Sequence, residues 1–285
     1  MTTNHHAHTR FSDGVGEPAE YVEHALAAGF TAYGFSDHAP IPAGDIGSMK
    51  LHELATYGAE IDRLRRVFAG RIDLYKSLEV DYIPGVMNVD SPHIKAARLD
   101  YTVGAVHYVD YLGKGEPWSF QRPNPVFERG IATIFANDSR RMVERYYALV
   151  REMVENYPPD VVAHLDRIKK RNVNGRYWDE HAGWYVAAVE ETLDAIAGAG
   201  LIMEVNTRGI YLGEIADTYP SNWIVRRAVE RGIRLQVNSD AHRPQHVAGG
   251  FREAYTGLRA LGVEAVWQYA GDSFQPAEIL LTSPS

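Results

Sequence analysis

The chain contains no cysteine. Disulfides, zinc–thiolate sites, iron–sulfur clusters and cysteine nucleophiles are excluded together. No apolar run approaches the roughly 20 residues needed to span a bilayer, so no membrane partner is expected. The polar start, Met1-Thr2-Thr3-Asn4-His5-His6, has no apolar h-region. A secretory signal is therefore not expected, and the expected location is cytoplasmic. A basic excess is missing too. The formal net charge is −8, whereas a surface that coats nucleic acid is normally basic, so no nucleic-acid partner is expected. That balance leaves room for a small anionic substrate, because a metal cluster supplies positive charge locally. There is no GxxxxGK[ST] loop for a nucleotide and no GxSxG elbow for a serine nucleophile. Internal repeats and low-complexity segments are absent.

What is present has globular proportions: 285 residues, 45% hydrophobic and 23% charged, enough for a sizeable core. Pro18–Ala28 (PAEYVEHALAA) reads as a helix, with proline in its first turn and Gly29 just past its end. Lys50–Phe68 repeats apolar residues at helical spacing, as do Arg140–Asn156, His181–Ala197 and Trp223–Arg231. Between them lie short β-branched or aromatic runs at Thr3–His8, Phe30–Ser36, Ile72–Val80, Tyr101–Val106, Val161–Ala163, Leu201–Val205 and Ile233–Val237, with an eighth candidate at Val263–Tyr269. Alternation of this kind implies parallel strands joined by helical crossovers. The expectation is one α/β domain over residues 1–285, a closed or nearly closed barrel of about seven strands. An open doubly wound sheet is the alternative. Asp110–Pro125 and Arg171–Asp179 read as rim loops.

The placement of the histidines carries the functional signal. Of the 12 present, His6, His8, His38, His107, His164 and His242 fall at or just beyond the carboxyl ends of expected strands. Asp13, Glu79 and Asp240 occupy similar places. In an α/β barrel that rim is where sites form, and imidazole with carboxylate suits zinc, iron or manganese. In His6-Ala7-His8 the i,i+2 spacing of an extended chain turns both rings to one side, with His5 facing away. A tag remnant or a surface pair is the bland alternative. Glu79 ends an otherwise apolar strand, where an unpaired carboxylate is costly, so it either bridges metals or pairs with a lysine such as Lys76. Asp240 and His242 are again i,i+2. His24, His52, His93, His181 and His246 fall on or beside helices and read as surface residues.

Taken in order, HAHTRFSDG, SDHAP, LEVDY, VHY, AHLD and NSDAHRP resemble the polymerase and histidinol phosphatase (PHP) family, in its histidinol-phosphatase-like branch. The resemblance runs from about His5 to Phe251. It implies a distorted (β/α)7 TIM-like barrel and a site for two or three divalent ions (zinc, iron or manganese). One ion would be held by His6, His8, Glu79 and Asp240, a second by Glu79, His107 and His164, and a third by Asp13, His38 and His242. The activity implied is hydrolysis of a small phosphorylated substrate, histidinol phosphate in this branch, by a metal-activated bridging hydroxide. Glu79, Asp240 and His242 are the candidate catalytic residues, and Lys170, Arg208 and Arg243 the candidate phosphate-binding cations. The oligomeric state stays open.

The chain departs from the histidinol phosphatase pattern at one point. Where that pattern reads Asn-Thr-x-Gly-x-Arg, this chain has Asn206-Thr207-Arg208-Gly209-Ile210-Tyr211. In an extended loop, a three-residue displacement of the arginine moves its side chain by up to about 10 Å. Another small phosphomonoester or a nucleotide as substrate, an amidohydrolase-type two-metal site, a nuclease module and a non-catalytic metal-binding protein are the competing readings.

Overall fold

The computed structural model describes residues 3–42, 44, 47–113 and 115–279. Its strands are β1 (Thr3–Asn4), β2 (Ala32–Phe35), β3 (Asp73–Lys76), β4 (Glu79–Asp81), β5 (Val103–Ala105), β6 (Tyr108–Leu112) and β7 (Glu116–Ser119), then β8 (Val161–Val162), β9 (Ile202–Asn206), β10 (Arg234–Asn238), β11 (Ala265–Ala270) and β12 (Ser273–Glu278). The α-helices are α1 (Pro18–Ala27), α2 (Leu54–Val67), α3 (Pro92–Ala96), α4 (Asn124–Phe135), α5 (Ser139–Asn156), α6 (Gly183–Ala199), α7 (Arg208–Tyr211), α8 (Asn222–Glu230) and α9 (Phe251–Ala260).

Two parallel ladders, β1-β2-β3 and β4-β5-β8-β9-β10, make up the barrel wall. Single parallel bridges join them at both seams: Ala7 to Ala241, and His38 to Glu79. The second bridge makes β4 the continuation of β3 beyond Ser77-Leu78, so the single run expected at Ile72–Val80 is two strands with a break. Counted this way, seven strand positions close a ring, the distorted (β/α)7 barrel. Strands such as β2 and β9 are buried throughout, which is why they read as near-continuous apolar runs without alternation. Outside the wall, α5 shows how a crossover helix is specified. Asp138 caps it by accepting from the Arg141 amide at 3.1 Å, and Met142, Val143, Tyr146, Tyr147, Leu149, Val150, Met153 and Val154 form its buried stripe.

Several local expectations are corrected. Asp110–Pro125 is mostly an antiparallel hairpin, β6 with β7, leading into α4. Its glycines and prolines masked the strands, yet Trp118 and Phe120 are fully buried. Helices α4 and α9 emerge where none was expected. Most of Arg171–Asp179 is irregular, as anticipated, with 3-10 turns at Arg167–Arg171 and Val173–Gly175. The eighth candidate strand does not enter the ring. It pairs antiparallel with β12, and Tyr269 and Phe274 of this hairpin pack against Tyr75 and Tyr101. The same buried cluster holds Ala32, Val103, Val161 and Ile202, each the first residue of its strand. The hairpin therefore plugs the N-terminal end of the barrel, and His5 turns inward to meet it, its Nε2 accepting from the Tyr269 amide at 3.2 Å.

Close packing at this plug makes Gly34 obligatory. A Cβ built there would overlap the Tyr101 hydroxyl, which donates to the His5 carbonyl at 2.7 Å. Gly34→Ala should destabilise the fold by about 1–3 kcal/mol, the usual cost of overpacking, read as a lower urea midpoint. An unchanged midpoint would show that Tyr101 yields freely.

Candidate metal centre

The C-terminal rim, opposite the plug, collects the ionisable residues. The chain leaving β1 stays extended through the Ala7 bridge, so His6 and His8 face the same side with their Nε2 atoms 3.0 Å apart. Both are fully buried. The chain then tightens. The Thr9 amide and the Thr9 and Ser12 hydroxyls all donate to Asp37 at 2.7–3.1 Å, and Gly14 has no room for a Cβ against the His8 carbonyl. This turn delivers Asp13, whose Oδ1 lies 3.2 Å from His242 Nε2 and 3.7 Å from both His8 Nδ1 and His38 Nε2.

Glu79 sits in the middle, 1% exposed. Its Oε2 is 3.0 Å from His38 Nδ1, 3.4 Å from His8 Nε2 and 3.6 Å from His6 Nε2. Its Oε1 is 2.9 Å from His164 Nε2 and 3.7 Å from His107 Nε2. The lysine alternative fails, because Lys76 points to Asp62 at 3.5 Å. Asp240 closes the other side. Its Oδ1 is 3.3 Å from His8 Nε2 and from His242 Nδ1, on a backbone held at a φ of 50°. A non-glycine residue in that left-handed region marks local strain of the kind functional sites store. Burial acts to raise the Glu79 pKa, but the rings of His38, His107 and His6 outweigh it and hold the group well below the carboxylate range. Asp240 is lowered likewise, with Arg208 and His6 outweighing burial. His8 is pushed down to about 3 by burial and by the neighbouring His242 and His38, leaving its ring neutral and free to act as a ligand.

Ligand atoms fall into four overlapping sets, each within 4.8 Å: His8, Asp13, His38 and His242; His6, Glu79 and His164; His6, His8 and Asp240; and His38, Glu79 and His107. All nine candidate ligands are thus brought together, although the sets cross the three groups that the family resemblance implies. A cation fits this arrangement physically. Two imidazole nitrogens facing each other at 3.0 Å need a proton or a metal ion between them, and the cysteine-free N/O donor set suits zinc, iron or manganese. The five remaining histidines on or beside helices lie outside these sets, as does His5.

Two supporting carboxylates were missed in the sequence. Glu204 accepts from His6 Nδ1 at 2.7 Å, and Asp81 pairs with His107 Nδ1 at 2.9 Å. Each orients a ring whose other nitrogen faces the cluster. Asp81, two residues beyond Glu79, carried a period-two signal that could have found it. Glu204 carried only its polarity within an apolar strand.

The three candidate cations differ in placement. Arg208 begins α7, a single helical turn, so the extended-loop estimate of its displacement does not apply. Residues i and i+3 share a face, and both ends of the turn reach the Asp240 carbonyl, Arg208 Nη1 at 2.8 Å and the Tyr211 hydroxyl at 3.2 Å. Arg208 Nη1 also touches His242 Nδ1. Lys170 is half-buried, 3.5 Å from Glu214. Burial first, then the charges of Arg167, Arg208 and Arg171, lower its pKa to about 8 against the pull of Glu214. Arg243 is exposed, and among the described residues its side chain makes no hydrogen bond to the cluster. A cleft of about 220 Å³ opens onto the cluster between Asp13, His38, Asp81 and His107 on one side and Ser119, Gln121 and Arg122 of the hairpin side on the other.

Comparison with known proteins bears on the family and the fold. The PHP domain family matches residues 4–208. A Deinococcus radiodurans protein named probable histidinol-phosphatase is 35% identical over 264 residues, 92% of this chain and 94% of that protein. The histidinol-phosphatase of Bacillus subtilis is 24% identical over 79% of this chain and 86% of its own. Among solved structures, the histidinol phosphate phosphatase of Lactococcus lactis, crystallised with zinc, L-histidinol and phosphate, superimposes with a TM-score of 0.70 at 19% identity, covering 96% of this chain and 98% of its own.

Elemental analysis of protein purified without chelator should find at least two transition-metal ions per chain. Stripping them should lower the unfolding midpoint, because each site filled at a hundredfold excess over its Kd adds about 2.7 kcal/mol. Less than one ion per chain after supplementation with manganese, iron and zinc would rule out a polynuclear centre.

Proposed function

We propose that this chain, which belongs to the PHP domain family, is a metal-dependent phosphatase that hydrolyses histidinol phosphate to histidinol and phosphate. The observation that carries the reading is the single pocket in which Glu79 meets His6, His8, His38, His107 and His164. The substrate follows from the relatives named above, which the chain matches over most of its length and theirs.

The ions would be held by His6, His8, Asp13, His38, Glu79, His107, His164, Asp240 and His242. When bound, they supply a water of near-neutral pKa as nucleophile and neutralise the phosphoryl oxygens. The chain's own residues do the rest. Glu79, Asp240 and His242 are the groups of the cluster to which we assign the catalytic role. Arg208, anchored beside Asp240, presents a planar fork suited to bidentate phosphate contact, and Lys170 and Arg243 add charge at the rim. The leaving alcohol would face the hairpin side of the cleft, at Ser119 and Gln121. Neither nucleic acid nor membrane is proposed as a partner: the chain is acidic overall, and among the described residues no helix is long and apolar enough to cross a membrane. We place the enzyme in the cytoplasm as one domain.

A panel of phosphomonoesters tests the reading, with histidinol phosphate expected to give the highest kcat/KM. A clear preference for a nucleotide or sugar phosphate would reassign the substrate. Across that panel Arg208→Ala should lower kcat/KM for every ester alike, by about ten- to a hundredfold, the worth of a hydrogen bond to a charged group. A loss that differs sharply among esters would show that Arg208 reads the leaving group instead.

Lys170 makes the profile pH-dependent. With its pKa lowered to about 8, the ammonium is present below that pH and lost above it. KM should therefore rise between pH 7 and 9, and Lys170→Arg, which keeps its charge, should flatten the rise. A KM independent of pH in the unaltered enzyme would remove Lys170 from the phosphate site.

A further inference from the structure

We infer that Glu204 is a positioning residue: it fixes the tautomer and orientation of His6, and so decides whether the cluster can load metal. The inference rests on the reading of the rim as a metal centre and adds a group that is no ligand itself. Glu204 stands in the middle of β9, fully buried between Met203 and Val205. It does not line the cleft and belongs to none of the four ligand sets. An isolated carboxylate there would be costly, yet both oxygens are saturated. Oε1 accepts from His6 Nδ1 at 2.7 Å and from Asn238 Nδ2 at 2.9 Å. Oε2 accepts from the His164 backbone amide at 2.9 Å and from Asn206 Nδ2 at 3.0 Å. One side chain thereby ties together residues from the ends of four neighbouring strands.

The chemistry of the acceptor fixes the proton. An ionised carboxylate only accepts, so His6 Nδ1 must carry hydrogen, and its Nε2 lone pair points to His8, Glu79 and Asp240. An amide in place of the carboxylate would reverse this. The His164 amide is a backbone donor that cannot turn over, so the glutamine oxygen must face it. The glutamine NH2 is then left against His6 Nδ1 and beside Asn238 Nδ2, whose own oxygen is held by the His5 backbone amide at 2.8 Å, while Asn206 Nδ2 keeps its acceptor. His6 would have to accept at Nδ1 and carry its proton at Nε2, the tautomer that cannot ligate a metal. A near-isosteric change behind the ligands, off the cleft lining, is thus aimed at one of them.

The test uses metal-stripped full-length protein titrated with zinc against a chromophoric chelator. Glu204→Gln should lower zinc affinity by about ten- to a hundredfold, the usual effect of losing an outer-shell partner, with the circular dichroism spectrum unchanged. In a His6→Ala background the same substitution should have no further effect on affinity, because the ring it acts through is gone. Unaltered affinity and stoichiometry in Glu204→Gln, whether or not the metal-free protein melts earlier, would overturn the inference and leave Glu204 a structural residue. Should Glu204→Gln fail to fold, Glu204→Asp keeps the charge while drawing the acceptor back from His6. It must also weaken zinc binding, and unaltered affinity there would again overturn the role. Failure of the unaltered protein to bind zinc, manganese or iron would instead sink the metal-centre reading itself.

Discussion

Putting Glu79 at the heart of an apolar barrel is the constraint from which the rest of the site follows. A carboxylate 1% exposed to solvent is tolerable only if cations or donors surround it. The barrel meets that demand from several strand ends at once. The rings of His6, His8, His38, His107 and His164 converge on its two oxygens, and Asp13 and Asp240 balance the far side. The rings in turn need orientation, which explains the outer carboxylates. Asp81 and Glu204 hold His107 and His6 by the nitrogens that point away from the cluster, and Asp37 gathers the turn that carries Asp13. Buried polarity is arranged in shells, each satisfying the one inside it.

Much of this was legible because the barrel repeats one local rule. An apolar run followed by a polar end recurs at the close of successive strands, and the helix that follows most of these runs shows its own stripe. Those signals are local and survive in one sequence. The hairpin of β6 and β7 was not legible, because Gly113, Gly115 and Pro117 interrupt its alternation. The run at Val263–Tyr269 announced a strand without announcing its partner. Its neighbour is Ser273–Glu278, a polar segment with no strand pattern of its own. Arg208–Tyr211 reads as extended loop in the sequence, whereas a turn of helix there changes which residues share a face.

The outer carboxylates show a different kind of illegibility. Glu204 lies 198 positions from His6 in the chain. No spacing rule connects them, and only closure of the ring makes β9 and the segment after β1 neighbours across the site. A buried glutamate in an apolar strand announces that something must satisfy it, but not what. The crossing of the ligand sets has a related cause. Side-chain nitrogens only a few ångströms apart can be grouped in more than one way, and sequence order carries no information about which grouping the ions select.

The plug at the N-terminal end, where Tyr269 and Phe274 pack on Tyr75 and Tyr101, bears on traffic through the molecule. Among the described residues the stoppered base leaves the rim as the way in, so ester and water would enter, and alcohol and phosphate leave, by the same side. Depth then sets the order of departure. A phosphate held by the cluster would be the deeper product, and the alcohol would face the opening and leave first. A phosphatase built this way would work as a cul-de-sac, in which inorganic phosphate lingering at the dead end would block the next molecule of ester from docking.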